Sequence, residues 1–120
     1  MQDLTRAAAR AYEAAAAHRS PKQQEADVFR RATGALRAAR DGGGAVERIR
    51  AIADNRRLWL TVIDLLRDPG NALPSDLRAS MVSVGLAVQR EMEADAPDFD
   101  FLIGINDNIA AGLATEPRPA

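Results

Sequence analysis

The chain has no cysteine, a single histidine (His18), a single lysine (Lys22) and only 4% aromatic residues in 120 positions. Without thiols, a disulfide, a thiolate zinc centre and a cysteine nucleophile are all excluded. A Ser-His-Asp triad or an imidazole metal site would have to be built around His18 alone. That residue stands just before a Ser-Pro pair, where an imidazole meets the last carbonyls of a helix, and no catalytic partner accompanies it. Scarce aromatics and lysine argue against a nucleic-acid module, and neither a helix-turn-helix nor an RNA-recognition signature is present. Long apolar runs are also missing. The longest, Leu58 to Leu66, is interrupted by Thr61 and Asp64 and is too short to cross a bilayer. Asp3, Arg6 and Arg10 occupy the place of a signal-peptide apolar core, so a cytoplasmic protein with no membrane insertion is expected. No cofactor, no metal and no enzymatic activity is expected either.

What the chain has in excess is alanine, 25 residues against 31 larger apolar ones. Alanine is the best helix former and a poor strand former. No segment alternates with period two, whereas apolar residues recur at helical spacing almost throughout. An all-α fold follows: one small bundle of about five helices joined by short loops over residues 1–114, with a flexible tail at 115–120.

The breakers divide the chain at regular distances. Residues 3–17 place Leu4, Ala8, Ala11 and Ala15 on one stripe beside Tyr12, a face with little area to bury. Ser20-Pro21 reads as an N-cap followed by a first-turn proline, with Gln23 in the capping-box position. The helix it opens carries Val28, Ala32, Ala35 and Ala39 on one stripe, Phe29 and Leu36 on the next, and stops at Gly42-Gly43-Gly44. The next runs from about Ala45 to Asp68, with Val46, Ile49, Ala53, Leu60 and Ile63 setting its face. From Leu58 onward it is apolar nearly all round, which places it at the centre of the bundle. Asp68-Pro69-Gly70-Asn71 ends it by removing a donor and offering positive-φ positions. A fourth helix starts at Pro74-Ser75-Asp76 with the stripe Leu73, Leu77, Met81, Val84, Val88 and Met92. A last one sets Leu102, Ile105, Ile109 and Leu113 on one face.

Charge is split along the chain: residues 1–60 hold 12 basic and 7 acidic groups, residues 61–120 hold 4 and 10. Complementarity between early and late helices explains this most simply; an RNA-facing basic surface is the sharper alternative. The acidic run Glu91, Glu93, Asp95, Asp98 and Asp100 lacks the spacing and glycine of a calcium loop. Asp98 and Asp100 are better read as acids of a helix first turn.

Two clusters stand out. Asn55-Arg56-Arg57-Leu58-Trp59 sets an amide and guanidinia beside the only tryptophan, and Ile105-Asn106-Asp107-Asn108-Ile109 sets two amides in an apolar helix. Buried amides must be bonded, so these are either bridges between helices or groups that read a partner. Gly85, inside an otherwise clean helix, costs about 1 kcal/mol against alanine and points to a close helix crossing or a groove.

The same residues carry a resemblance. Ala11-Tyr12, Arg19-Ser20-Pro21, Val28-Phe29 and Ala35-Leu36 are followed by Asn55-Arg56-Arg57-Leu58-Trp59, Asn71-Ala72-Leu73-Pro74, Leu77-Arg78-Ala79, Leu102-Ile103, Ile105-Asn106 and Gly112-Leu113. In order and spacing this resembles FlaF, the family of small helical flagellar biosynthesis regulators of alphaproteobacteria, over roughly residues 4–114. The Ala-rich first segment and the triple glycine depart from the pattern. The resemblance implies a non-enzymatic protein that binds flagellin, assists its export and works alongside an FlbT-like regulator. Helix-in-groove recognition of an amphipathic flagellin segment fits a small bundle. The expected contact residues are Asn55, Arg57, Leu58, Trp59, Val62 and Leu66 on one face, or Leu102, Ile105, Asn106 and Ile109 on another. An RNA-associated regulator acting through the Arg-rich half is the alternative.

Overall fold

The computed structural model describes residues 6–7 and 21–114, with no side-chain placement for Lys22, Leu113 and Ala114. The expected first helix at 3–17 (apart from the helical pair Arg6-Ala7), His18, the Ser20 cap and the tail at 115–120 lie outside the described residues. Four long helices follow Pro21: α1 (Pro21–Arg40), α2 (Ala45–Arg67), α3 (Ser75–Met92) and α4 (Phe99–Ala114). Among the described residues there is no strand. Proline opens α1 at its first position, where a missing N–H costs nothing. The α1–α2 connection turns at Gly42, whose φ of 147° is open to glycine alone. The α2–α3 turn takes another route than positive φ at Gly70. The Asp68 carboxylate accepts from Gly70 N–H at 2.9 Å, while Asn71 Nδ2 donates to the Leu65 carbonyl at 2.8 Å. These side chains replace the bonds that Pro69 cannot make. Asp98 caps α4, its Oδ1 accepting from Phe101 N–H at 3.1 Å.

Helix α1 packs most extensively on α4 and then on α2; α3 leans on α2. Part of the charge split along the sequence is used at the first of these contacts. Arg37 pairs with Asp107, and Arg40 with Asp100 at 2.7 Å. Arg40 also bonds Asp41, and that hydrogen bond holds the Asp41 carboxyl below its ordinary range.

Three helices are rotated from their expected faces. In α1 the buried row is Ala26, Phe29, Thr33, Leu36 and Ala39, while Val28 is 46% exposed. Burying Phe29 and Leu36 removes more apolar area from water than burying Val28 and alanines. Thr33 joins them at no polar cost because its hydroxyl donates to the Phe29 carbonyl at 2.6 Å. In α2 the buried row is Ala51, Asn55, Trp59, Ile63 and Leu66. The expected Val46, Ile49 and Leu60 face solvent, and Leu65 is exposed as well, so only one side of the apolar second half is covered. Trp59 decides that rotation by its size. In α3 the stripe is buried only at its end, Val88 and Met92, and Leu73 and Leu77 stay exposed because α3 has α2 as its main neighbour.

Gly85 marks the α2–α3 crossing. A Cβ there would lie 2.8 and 2.9 Å from the Ile63 side chain and 3.3 Å from the Trp59 ring. The absent methyl is what lets the helices approach.

Candidate functional site

Trp59 is the hub. Its ring is fully buried, meets Phe29 edge-on at 5.8 Å and 84°, and sends its Nε1–H to Asn106 Oδ1 at 2.9 Å. An indole only donates, so the Asn106 oxygen must face it and the Asn106 Nδ2 must point away. That nitrogen donates to Asn55 Oδ1 at 2.7 Å, and Asn55 Nδ2 in turn donates to Met92 Sδ at 3.3 Å. A directed chain of three buried bonds therefore ties α2, α3 and α4 together, with every amide group oriented by the one before it.

This arrangement settles how the two clusters of the sequence are used. Asn55 and Asn106, each fully buried, bond one another, and Trp59 completes the set. They hold helix against helix, and their polar atoms face no open surface. Leu66 and Leu102 are core, and Val62, Ile105 and Ile109 are half-buried against it. Of the ten expected contact residues, Arg57 is exposed and Leu58 half-buried.

Those two residues open onto a groove between α1 and α2 of about 360 Å³. Its floor is Val28, Ala32, Ala35 and Leu58, and Arg31, Asp54, Arg57 and Thr61 stand around it. Sequence reading missed Arg31, Ala32 and Ala35 as site residues. The signal was present in the stripe Val28-Ala32-Ala35, which helical spacing alone assigns to the core and which the fold leaves exposed at Val28 and half-buried at Ala32 and Ala35. The alanines leave a shallow, backbone-close floor. Among the described residues Arg31 and Arg57 have no ion-pair partner, unlike Arg37 and Arg40. Such a surface suits the apolar stripe of a guest helix, with the guanidinia free to meet carboxylates at its edge. Among the described residues no three His, Cys, Asp or Glu side chains gather as metal ligands, and no helix is long and apolar enough to cross a membrane.

Comparison with known proteins supplies the context of this geometry. No curated protein and no solved structure matches the chain. The family model of the flagellar protein FlaF matches residues 8–113, which takes in all of α1, α2 and α3 and nearly all of α4. The helices, the amide chain and the α1–α2 groove thus lie within one continuous match, and the chain belongs to the FlaF family of flagellar proteins.

Proposed function

We propose that this protein is a non-enzymatic flagellar regulator and secretion chaperone that binds flagellin in the cytoplasm, holding one amphipathic helix of it in the α1–α2 groove. The observation that carries the reading is the groove itself: an apolar, alanine-floored channel with two guanidinia that make no ion pair among the described residues, on a protein of a flagellar family. Flagellin's terminal segments are amphipathic helices that polymerise early when left uncovered, and a groove of this kind covers one apolar stripe. The contact set moves accordingly from Trp59, Leu66 and Leu102, which the core consumes, to Val28, Ala32, Ala35 and Leu58, with Arg31 and Arg57 setting register. An FlbT-like regulator is the second expected partner.

Calorimetric titration with purified flagellin, and then with its terminal fragments, tests the reading at low and moderate salt. Stoichiometric binding with a negative heat-capacity change and weak salt dependence is expected. Val28→Glu, at a half-exposed position the fold can tolerate, should weaken it by more than about 1 kcal/mol. No flagellin binding, with salt-steep binding to its message instead, would replace the chaperone by an RNA-associated regulator.

A further inference from the structure

Helix α2 turns Trp59 inward and leaves a second apolar face to solvent. Val46 is 58%, Ile49 69% and Leu60 47% exposed, with half-buried Ala53 between them. Scattered exposed aliphatics need no explanation, but these share one row. From Val46 they follow at steps of three, four and seven, the a and d positions of a heptad, and Arg56 fills the d slot between Ala53 and Leu60. Beside the row, between α2 and the loop after α3, lies a depression of about 500 Å³ lined by Ile49, Ile52, Ala53 and Phe99 among others.

Guanidinia border the row on both sides. Arg56 lines the depression and donates to the Met92 carbonyl at 3.5 Å, whereas Arg57 lines the α1–α2 groove. Arg50 stands two turns before Arg57 on the same side, exposed like the other two. None of the three has an ion-pair partner among the described residues. Of the acids nearby, Asp54 lies on the groove side, Asp64 past Leu60 and Asp95 across the depression.

We propose that this face seats an amphipathic helix of a second protein, one with an apolar heptad seam, a carboxylate in that seam opposite Arg56 and further acids toward Arg50 and Arg57. The row supplies the apolar contact, and a lone charge within it sets register and partner choice. Once covered by an aliphatic seam, the Arg56 guanidinium requires an acid, because a charge taken out of water must be paired. A second copy of the chain would set guanidinia against guanidinia, and residues 1–20 hold three arginines against two acids. RNA would answer the guanidinia but leave Ile49 and Leu60 in water, with no aromatic ring in the row to stack a base. The row is separate from the floor of the α1–α2 groove, so the inference does not rest on flagellin as that groove's guest.

Fluorescence anisotropy of the full chain with a trace of labelled synthetic helix provides the test. The probe spans about three heptads, with leucine in its seam except for one central glutamate and glutamate at the flanking positions; its counterpart carries lysine at those places. The glutamate helix should bind about tenfold or more tighter than the lysine helix, a preference that Arg50→Glu/Arg56→Glu should reverse. Ile49→Ser/Leu60→Ser, neutral changes at exposed positions, should weaken binding about tenfold, whereas Val28→Glu in the α1–α2 groove should leave it unchanged. Circular dichroism checks that each variant keeps its helices. Failure of the glutamate helix to bind overturns the proposal, as does a second copy of the chain found on this face by sedimentation. Loss through Val28→Glu in place of the serine pair would put the helix in the α1–α2 groove, and binding indifferent to the serine pair would mark a surface for polyanions such as RNA. Either result overturns it too.

Discussion

Replacing Asn106 with leucine tests the central buried chain with little change of volume. The substitution removes the acceptor of the Trp59 indole and the donor to Asn55, bonds of 2.9 and 2.7 Å that are both inaccessible to water. Each stranded buried group costs about 1–3 kcal/mol, so two cost about 2–6 kcal/mol, partly offset by the leucine's own apolar burial. A net loss of about 2–4 kcal/mol is expected, a large share of the stability of a small domain. Trp59 is the only tryptophan and sits at the lesion, so urea unfolding followed by its fluorescence reports midpoint and slope together. Trp59→Phe in the Asn106→Leu background should cost less than in the wild type, because the indole has already lost its partner. A loss below about 1 kcal/mol at unchanged slope, or strict additivity of the pair, would refute the bonded chain.

Other perturbations separate the remaining contacts. Trp59→Ala should cost about 3–5 kcal/mol of stability by chemical denaturation, as befits a core aromatic. Gly85→Ala gains about 1 kcal/mol of helix propensity but drives a methyl into Ile63 at a cost of about 1–3 kcal/mol. It should destabilise on balance, and its cost should shrink in an Ile63→Ala background, where both clashing atoms Cγ1 and Cδ1 are gone, which thermal unfolding of the single and double variants checks. Arg37→Ala breaks a pair whose members are 47% and 45% exposed, so it should cost less than about 1 kcal/mol and less still in molar salt. Arg40→Ala should let the Asp41 carboxyl return upward to its ordinary range in an NMR titration. The direction follows from linkage. A carboxyl held low adds stability above its ordinary value and loses it as pH falls through the lowered one.

Legibility of the site differs from residue to residue. Asn55 and Asn106 were conspicuous in the sequence as amides in apolar helices, yet spacing within a helix cannot say what lies opposite. Their partners are 51 positions apart, and only the packing of α2 against α4 brings them to 2.7 Å. Gly85 announced a close approach without naming Ile63 and Trp59 as its cause. Val28, Ala32 and Ala35 form a regular stripe that periodicity assigns to the core. The larger Phe29 and Leu36 won that burial and left the stripe as the floor of the groove.

The sequence by itself determined the helical class, the limits of the four described helices and the family. Helix propensity, proline and glycine breaks, and the order of motifs are properties of neighbouring residues. Tertiary structure decided which way each helix turned, and with it which apolar residues became core and which became surface. That choice is collective. On α2 two apolar faces competed for one interior, and the face with Trp59 prevailed because an aromatic ring removes more area from water and its indole N–H found Asn106 to receive it.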